Sequence, residues 1–374
     1  MIPIILAASE KVTGPTETQN EIWTWGNAGT GRTAHSNLTT YSSPVQVGTN
    51  KTWAVIGGMG VTSGMISTTG KLYTAGEGAL GRLGNGSTTD ISSPGQVGAL
   101  TTWAHLSGGL NTQMIIKTDG TLWGFGYNTS GQLGDSSTTT RSSPVQVGSA
   151  TDWQIIGGQG SQAGVGIAGG KLYTWGTGAN GQDGSGSQFN RSSPSQVGSA
   201  TNWSQCSKCN STTFAINSDG KLYAFGRNND GSIGDGTTTS RDTPVQIGSL
   251  TDWLHISGGQ THVTALKTDG TLWSWGPGTS GKTGHGNTTN YSSPVQIGSD
   301  TNWDRPTSKN SNTMATRQDG TLWAWGAGTS GQNGTGNTTA YSSPVQIGSQ
   351  TIWKESDLHG GSGGSSYSWG GWIK

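Results

Sequence analysis

The sequence predicts an all-β protein, a seven-bladed β-propeller of 50-residue, four-stranded repeats, and three observations carry that prediction. Prolines recur at fifty-residue intervals, at Pro44, Pro94, Pro144, Pro194, Pro244, Pro294 and Pro344, each with Gln two residues later and Trp nine residues later. A period of this size, held without insertion or deletion, marks a repeat architecture. Each unit holds short apolar or aromatic runs separated by Gly-rich turns, the pattern of antiparallel strands in a propeller blade. The first copy starts at its third strand and the last stops after its second, so the two ends complement each other.

The sixth unit is the clearest. Trp253-Leu254-His255-Ile256-Ser257-Gly258-Gly259 reads as a strand, A, ending at a Gly pair, and residues 261–268 read as a second, B. Asp269-Gly270 between two strand-like segments predicts a two-residue type I′ hairpin, since Gly takes positive φ without cost. Residues 271–276 form strand C, whose Leu272, Trp273 and Trp275 imply that both faces are buried, as face-to-face stacking of blades requires. A Gly/Ser/Thr/Asn loop leads to strand D, Pro294-Val295-Gln296-Ile297-Gly298, with Pro first, where a missing N–H does least harm. One aromatic register is filled in every copy, by Trp23, Tyr73, Trp123, Tyr173, Tyr223, Trp273 and Trp323. Each such ring buries ~150–250 Å², so packing alone accounts for them.

At the ends, Ile22-Trp23-Thr24-Trp25-Gly26 is a strand C without its A and B. An A-like segment at Trp353 and a B-like segment over residues 365–371 supply the missing pair, closing the ring. Residues 21–374 are therefore expected to be one propeller and residues 1–20 an extension outside it. That extension is apolar at its start but lacks a basic n-region and is short for a signal peptide, so it is read as part of the mature protein.

Composition narrows the partners. Of 374 residues 66 are Gly, 17 are Trp and only 11% are charged, with 20 basic and 20 acidic side chains. Disordered chains usually carry high net charge and few aromatics, so disorder does not fit. No basic stripe is present to neutralise phosphates, which argues against nucleic-acid binding. No apolar run approaches the ~18 residues of a membrane span, which argues against insertion.

The stretch Leu222-Tyr223-Ala224-Phe225-Gly226, continuing through Asn228, Gly231, Ile233, Gly234 and Asp235, resembles the repeat of the regulator-of-chromosome-condensation family. So do Gly126-Tyr127-Asn128-Thr129-Ser130-Gly131-Gln132-Leu133-Gly134-Asp135 and the Gly pair that closes strand A; the likeness runs from residue 21 to about 371. The resemblance implies the propeller fold. The family's apolar loop residue survives at Leu83, Leu133 and Ile233 but is replaced by Asp183, Thr283 and Asn333, whose loops should be looser or held by hydrogen bonds. Family members include exchange factors for a small GTPase, inhibitors of β-lactamases and a Trp-based ultraviolet-B sensor, so the scaffold implies no single activity. The exchange factors' inserted wedge and the photoreceptor's Gly-Trp-Arg-His-Thr motif do not occur here.

No catalytic, metal or cofactor constellation emerges. Cys206 and Cys209 form a lone Cys-x-x-Cys, and Cys206 shares the core register of Ile156 and Ile256, so it reads as a small buried hydrophobe. His105 and His255 share one strand-A register three repeats apart, too far for a metal pair. Asp119, Asp219, Asp269 and Asp319 all sit in the B–C turn, where turn chemistry explains them.

Comparing the repeats with one another separates two faces. The B–C turn and the D–A link barely change, whereas the A–B and C–D loops, which emerge on the opposite side, vary. Arg and Tyr are enriched at interfaces, so Tyr127, Arg141, Arg191, Arg227, Arg241, Tyr291 and Tyr341 make a candidate contact surface for a protein or glycan ligand. Drift in solvated loops would leave the same variation. The apolar Ile2, Ile4, Ile5 and Leu6 are a candidate docking segment for a larger protein assembly. Near-identical copies, low charge and Ser/Thr/Asn/Gly loops favour a non-enzymatic binding or structural propeller, read first as a virion or tail-associated, extracellular component. The alternative is a soluble, cytoplasmic regulator or inhibitor, exchange-factor-like activity included, that caps one protein with one face.

Overall fold

The computed structural model describes residues 21–49, 52–157, 162–353, 355–360 and 368–373; the expectations for residues 1–20 lie outside them. The described chain is an all-β propeller of seven four-stranded antiparallel sheets. Six sheets are each built from four consecutive strands, such as Trp253–Gly258, Val263–Lys267, Leu272–Gly276 and Tyr291–Gln296. The seventh pairs Tyr41–Gln46 and Ile22–Gly26 with Ser368–Ile373 and Glu355–Gly360, in the order D, C, B, A. Its central register runs from Ile22 opposite Ile373 to Gly26 opposite Trp369.

Two details of the predicted repeat differ from those found. At the B–C turn only Gly270 has positive φ (+78°), and the Lys267 amide donates to the Thr271 carbonyl (3.0 Å) while Gly270 donates to Lys267 (3.0 Å). A type I′ turn needs positive φ at two positions; here a type I turn is followed by a left-handed Gly, a G1 bulge, which asks less of Asp269. Strand D begins at Tyr291, three residues before Pro294 rather than at it. Tyr291 pairs with Gly276 and Val295 with Ser274, so Pro294 lies in a bulge of an outermost strand, where no ladder hydrogen bond is lost.

Strand C is the packed centre of each sheet: Leu272, Ser274 and Trp275 are fully buried, and Trp273 is half-buried. The Trp that opens strand A meets the half-buried aromatic of strand C edge-to-face, as in Trp103–Trp123 (6.0 Å) and Trp303–Trp323 (6.1 Å), or tilted, as in Trp153–Tyr173 (5.4 Å). A second aromatic of strand C reaches the preceding unit. The indole N–H of Trp175 donates to the Gln132 carbonyl (2.9 Å), that of Trp275 to Ser232 (2.8 Å), that of Trp325 to Lys282 (3.1 Å) and that of Trp25 to Gln332 (3.0 Å).

Neighbouring sheets are latched by backbone. An amide near the end of each C–D loop donates to a carbonyl of the next strand D: Ser36 to Ser92, Gly86 to Ser142, Ser136 to Ser192, Gly186 to Asp242, Gly236 to Ser292, Gly286 to Ser342 and Gly336 to Ser42, all at 2.7–2.9 Å. Five residues earlier a Gly at positive φ lies directly on that strand; a Cβ on Gly281 would sit 2.4 Å from Ser342 Cα. Gly298 also has positive φ (+62°), but nothing lies within 4 Å of its Cβ position. Gly298→Ala should therefore cost ~1–2 kcal/mol, the left-handed penalty alone. Gly281→Ala adds overpacking against backbone and should cost about 3 kcal/mol or more. Urea unfolding of the two variants measures the difference.

Candidate functional site

The C–D loops carry most of the candidate contact residues, and the structure places Arg141, Arg191 and Arg241 at the same point of three successive repeats, the first residue of strand D. Each is tied to a buried carboxylate of its own loop. Arg141 Nε donates to Asp135 Oδ2 (2.9 Å), Arg191 Nε to Asp183 Oδ2 (3.3 Å) and Arg241 to Asp235 Oδ2 through Nε (2.8 Å) and a terminal nitrogen (2.6 Å). The carboxylate side chains are 1–7% exposed and the Arg side chains 35–37% exposed, so each Arg holds its loop while its side chain stays partly exposed. Burial opposes ionisation of Asp135, but hydrogen bonds from Ser137, Arg141 and Asn128 outweigh it and hold the carboxyl below its ordinary range. Asn128 also gathers the loop, donating to the Ser137 and Thr139 carbonyls (3.1 Å each) and accepting from the Leu133 amide (2.9 Å).

Tyr291 and Tyr341 occupy the same register with different chemistry. Asn287 Nδ2 donates to Tyr291 OH (3.1 Å), Asn337 Nδ2 to Tyr341 OH (2.9 Å), and Asn37 Nδ2 to Tyr41 OH (3.0 Å). His285 packs edge-on against Tyr291 (4.7 Å). The register thus carries an Arg–Asp clamp in three successive copies, a Tyr–Asn clamp in three others and Ile91 in the seventh. Sequence reasoning singled out the Arg and Tyr but missed their partners, although Asp135, Asp235, Asn287 and Asn337 stand four or six residues upstream and change in step with them. Tyr127 and Arg227 begin their loops, held by backbone: their amides donate to the Asn111 and Ser211 carbonyls (2.9 Å each). The strand-C hydroxyl donates to the loop carbonyl whether the loop residue is apolar or polar, Thr74 to Leu83 (2.8 Å), Thr174 to Asp183 (2.7 Å) and Ser274 to Thr283 (2.6 Å), and where Asn333 replaces the apolar residue its side chain accepts from Asn312 Nδ2 (2.9 Å).

The A–B turns vary in sequence without offering a comparable surface. Three neighbouring turns are joined tip to tip, Asn210 N to Gln260 O (3.2 Å) and Gln260 N to Asn310 O (3.0 Å), and Lys309 Nζ reaches the Gly108 carbonyl (3.1 Å), 201 residues away. Cys209, His262 and Asn310 are buried there. Burial pushes the thiols of Cys206 and Cys209 up to about 12, so neither is a thiolate at neutral pH. Lys208, 3% exposed, donates to Thr213 Oγ1 (2.7 Å) and the Gln182 carbonyl (3.3 Å). Desolvation lowers its pKa to about 7, partly offset by Asp183. No group of three or more His, Cys, Asp or Glu able to hold a metal ion occurs among the described residues.

The opposite face is less uniform than the repeats suggest. Lys117 lies over Trp123 (3.8 Å) and Trp103 (5.2 Å), Lys267 over Trp273 (4.3 Å) and Trp253 (5.1 Å), and Arg317 over Trp323 (4.0 Å) and Trp303 (4.5 Å). In these repeats the Asp of the B–C turn accepts from the amide and hydroxyl of Thr121, Thr271 or Thr321, and that hydroxyl accepts from the Trp indole (2.9 Å).

Arg241→Tyr alone should cost ~1–3 kcal/mol by leaving the Asp235 carboxylate buried and unpaired. Adding Asp235→Thr and Thr237→Asn, which copies Thr335, Asn337 and Tyr341, should recover at least half of that in thermal melts. Lys208 gives a pH prediction. Its folded pKa is depressed from 10.5 to about 7, so below pH 7 both states are charged and the native state bears the full desolvation cost. Between pH 7 and 10.5 the unfolded chain binds more protons, and stability rises with pH. Lys208→Met should then stabilise by about 2–4 kcal/mol at pH 6, and by progressively less up to pH 10.5, since Thr213 Oγ1 still donates to Gln182 (2.9 Å). Urea melts across that range measure it.

Three solved structures share the fold. Prp20p of Saccharomyces cerevisiae superposes with a TM-score of 0.82 at 16% identity, over 97% of this chain and 93% of its own. Yeast RCC1 (Prp20) bound to Kap60 gives 0.82 at 17% identity over 99% and 93%. Human WBSCR16 gives 0.84 at 17% identity over 95% and 98%. Comparison with curated protein sequences finds no match. The model of the regulator of chromosome condensation (RCC1) repeat matches residues 119–156, 169–216, 219–266, 269–307 and 319–353, more than half of the chain, and the protein belongs to that repeat family.

Proposed function

We propose that this protein is a protein-binding propeller, a regulator or inhibitor that caps one protein partner with its C–D loop face. The observation that carries this reading is the rigid presentation of differing side chains: Arg141, Arg191, Arg241, Tyr291 and Tyr341 are each pinned by a partner in the same loop and remain partly exposed. Holding side chains before binding reduces the ordering cost of association. Tyr127 and Arg227 extend the same surface. The structural neighbours support a protein rather than a glycan ligand: the yeast protein has binding properties toward Gsp1p and histones, and Kap60 is bound to it in a second structure. Nothing in the comparisons points to a virion or tail component, which sets the first reading behind the second. No helix among the described residues is long and apolar enough to cross a membrane. A cytoplasmic site of action belongs to the regulator reading itself.

The scaffold for this role is one closed, seven-bladed ring over residues 21–374. Support comes from the sheet that joins both ends of the chain and from the last C–D loop, whose Gly336 amide and Gln332 carbonyl meet Ser42 and Trp25. Residues 1–20, with Ile2, Ile4, Ile5 and Leu6, would be a separate docking segment.

The test exchanges surface chemistry without unpinning the loops. Replacing the Arg–Asp clamps at 141, 191 and 241 by the Tyr–Asn set should leave the melting temperature within a few degrees. It should also weaken a stoichiometric protein partner, captured from the source organism with the full chain, by about tenfold or more in Kd, measured by biolayer interferometry. Unchanged affinity in a folded variant would remove this face from the reading.

A further inference from the structure

The deeper inference concerns one residue of that face and rests on the protein-binding reading. Phe189 is 76% exposed, and every other Trp, Tyr and Phe between residues 21 and 353 is buried or half-buried. A single exposed apolar residue ordinarily needs no explanation. Here the repeats provide a comparison within the molecule. At the same register the other six copies carry Thr39, Thr89, Thr139, Thr239, Thr289 and Thr339. The backbone of the fourth copy has kept its place: Gly178 lies against the Phe189 carbonyl as Gly278 lies against that of Thr289 and Gly328 against that of Thr339. Phe at this position therefore follows from no change in local fold, and its ring packs into no core cluster.

The loop on both sides of Phe189 is fastened. Ser185 Oγ donates to Asp183, the Ser187 amide donates to Ser185 Oγ (3.3 Å), and Arg191 donates to Asp183, Ser185 and Ser187 (3.2–3.3 Å). Asn190 Oδ1 accepts from the Gly178 amide (3.2 Å). The ring thus projects from a stiff base, in the middle of the three successive Arg-clamped loops. A rigid aromatic in water with no intramolecular packing has the character of an interface anchor, which gains by entering a desolvated pocket.

We propose that Phe189 is the anchor of the C–D loop face, inserting into an apolar pocket on a protein partner, with Arg191 acting as the positioning residue that holds the loop. The partner's pocket is ringed by hydrogen-bond acceptors that meet the partly exposed Arg141 and Arg241 on either side.

The test uses the full chain. Phe189→Thr restores the residue that six other repeats carry, so the variant should melt at the wild-type temperature, which establishes folding independently of binding. With the photo-cross-linker p-benzoylphenylalanine at 189, and in a control at 339, the protein is irradiated in a lysate of its source organism. The expected result is one protein cross-linked from 189 and not from 339, and an affinity of the purified pair at least about tenfold weaker for Phe189→Thr, equivalent to ~1.4 kcal/mol. Arg191→Ala should weaken binding in wild type but add little to Phe189→Thr, the signature of a residue acting through Phe189. A partner that loses affinity in the Arg–Tyr exchange variants but not in Phe189→Thr overturns the anchor and leaves the face intact. Failure to capture any protein from either position overturns both readings. Cross-linking of the chain only to itself, with self-association in sedimentation abolished by Phe189→Thr, overturns the heterologous partner.

Discussion

Neighbouring sheets of this propeller depend on one repeated contact: a loop amide donating to a carbonyl of the following outer strand, with a glycine five residues earlier pressed against that strand. Positive φ at Gly31, Gly81, Gly131, Gly181, Gly231, Gly281 and Gly331 turns the chain, and the missing Cβ lets two backbones touch. The indole donors Trp25, Trp175, Trp275 and Trp325 reinforce the seam from inside, where bulk apolar packing alone would not fix the offset between sheets. The outer strand gains a partner by this contact. Its free edge is otherwise a template for pairing with other chains, and the bulge carrying Pro294 and its equivalents blunts it further. Long Gly-rich loops are therefore structural where they cross the seam and available for recognition only beyond it.

Much of this was legible from residues alone, and the gaps have physical causes. Burial of both faces of strand C followed from Leu272, Trp273 and Trp275. The B–C turn did not follow, because Asp-Gly suits both a type I′ turn and a type I turn with a G1 bulge, and the choice depends on whether Asp269 or only Gly270 takes positive φ. From residues alone strand D starts at Pro294, because proline is usually excluded from ladders; a bulge is the exception that three-dimensional pairing reveals. The variable Arg and Tyr positions were found, but their dual role was not. A side chain reads as a contact residue until its intramolecular partner is known, and here the partner changes with it.

That co-variation runs through both faces. On the C–D side Arg accompanies Asp, and Tyr accompanies Asn. On the B–C side Lys117, Lys267 and Arg317 accompany Thr121, Thr271 and Thr321 with Trp123, Trp273 and Trp323, whereas Lys71, Lys171 and Lys221 accompany Tyr73, Tyr173 and Tyr223. The physical reason is direct: a cation over a Trp face needs an aromatic broad enough to receive it, and the indole N–H needs an acceptor that Thr supplies and Lys does not. Different solutions to the same packing problem occupy different copies, and each of the seven sheets still has four strands.

Departures from the repeat thus divide into two kinds. Where a change at one register is answered by a change at another in the same unit, the pair preserves the scaffold and says nothing about a ligand. Where a change is unanswered, the fold bears a cost with no structural return. Buried Lys208 is the interior case, desolvated and offset only partly by Asp183. Phe189 is the surface case, a ring in water at a register where Thr satisfies the loop six times over. A protein whose repeats are otherwise kept alike by the demands of the seam has little room to hold an unanswered change. The cost of exposing one aromatic ring is small, but it is borne on a loop fastened on both sides of that ring, by Arg191 and by Asn190, and this coincidence of fastening and exposure is what packing alone does not supply.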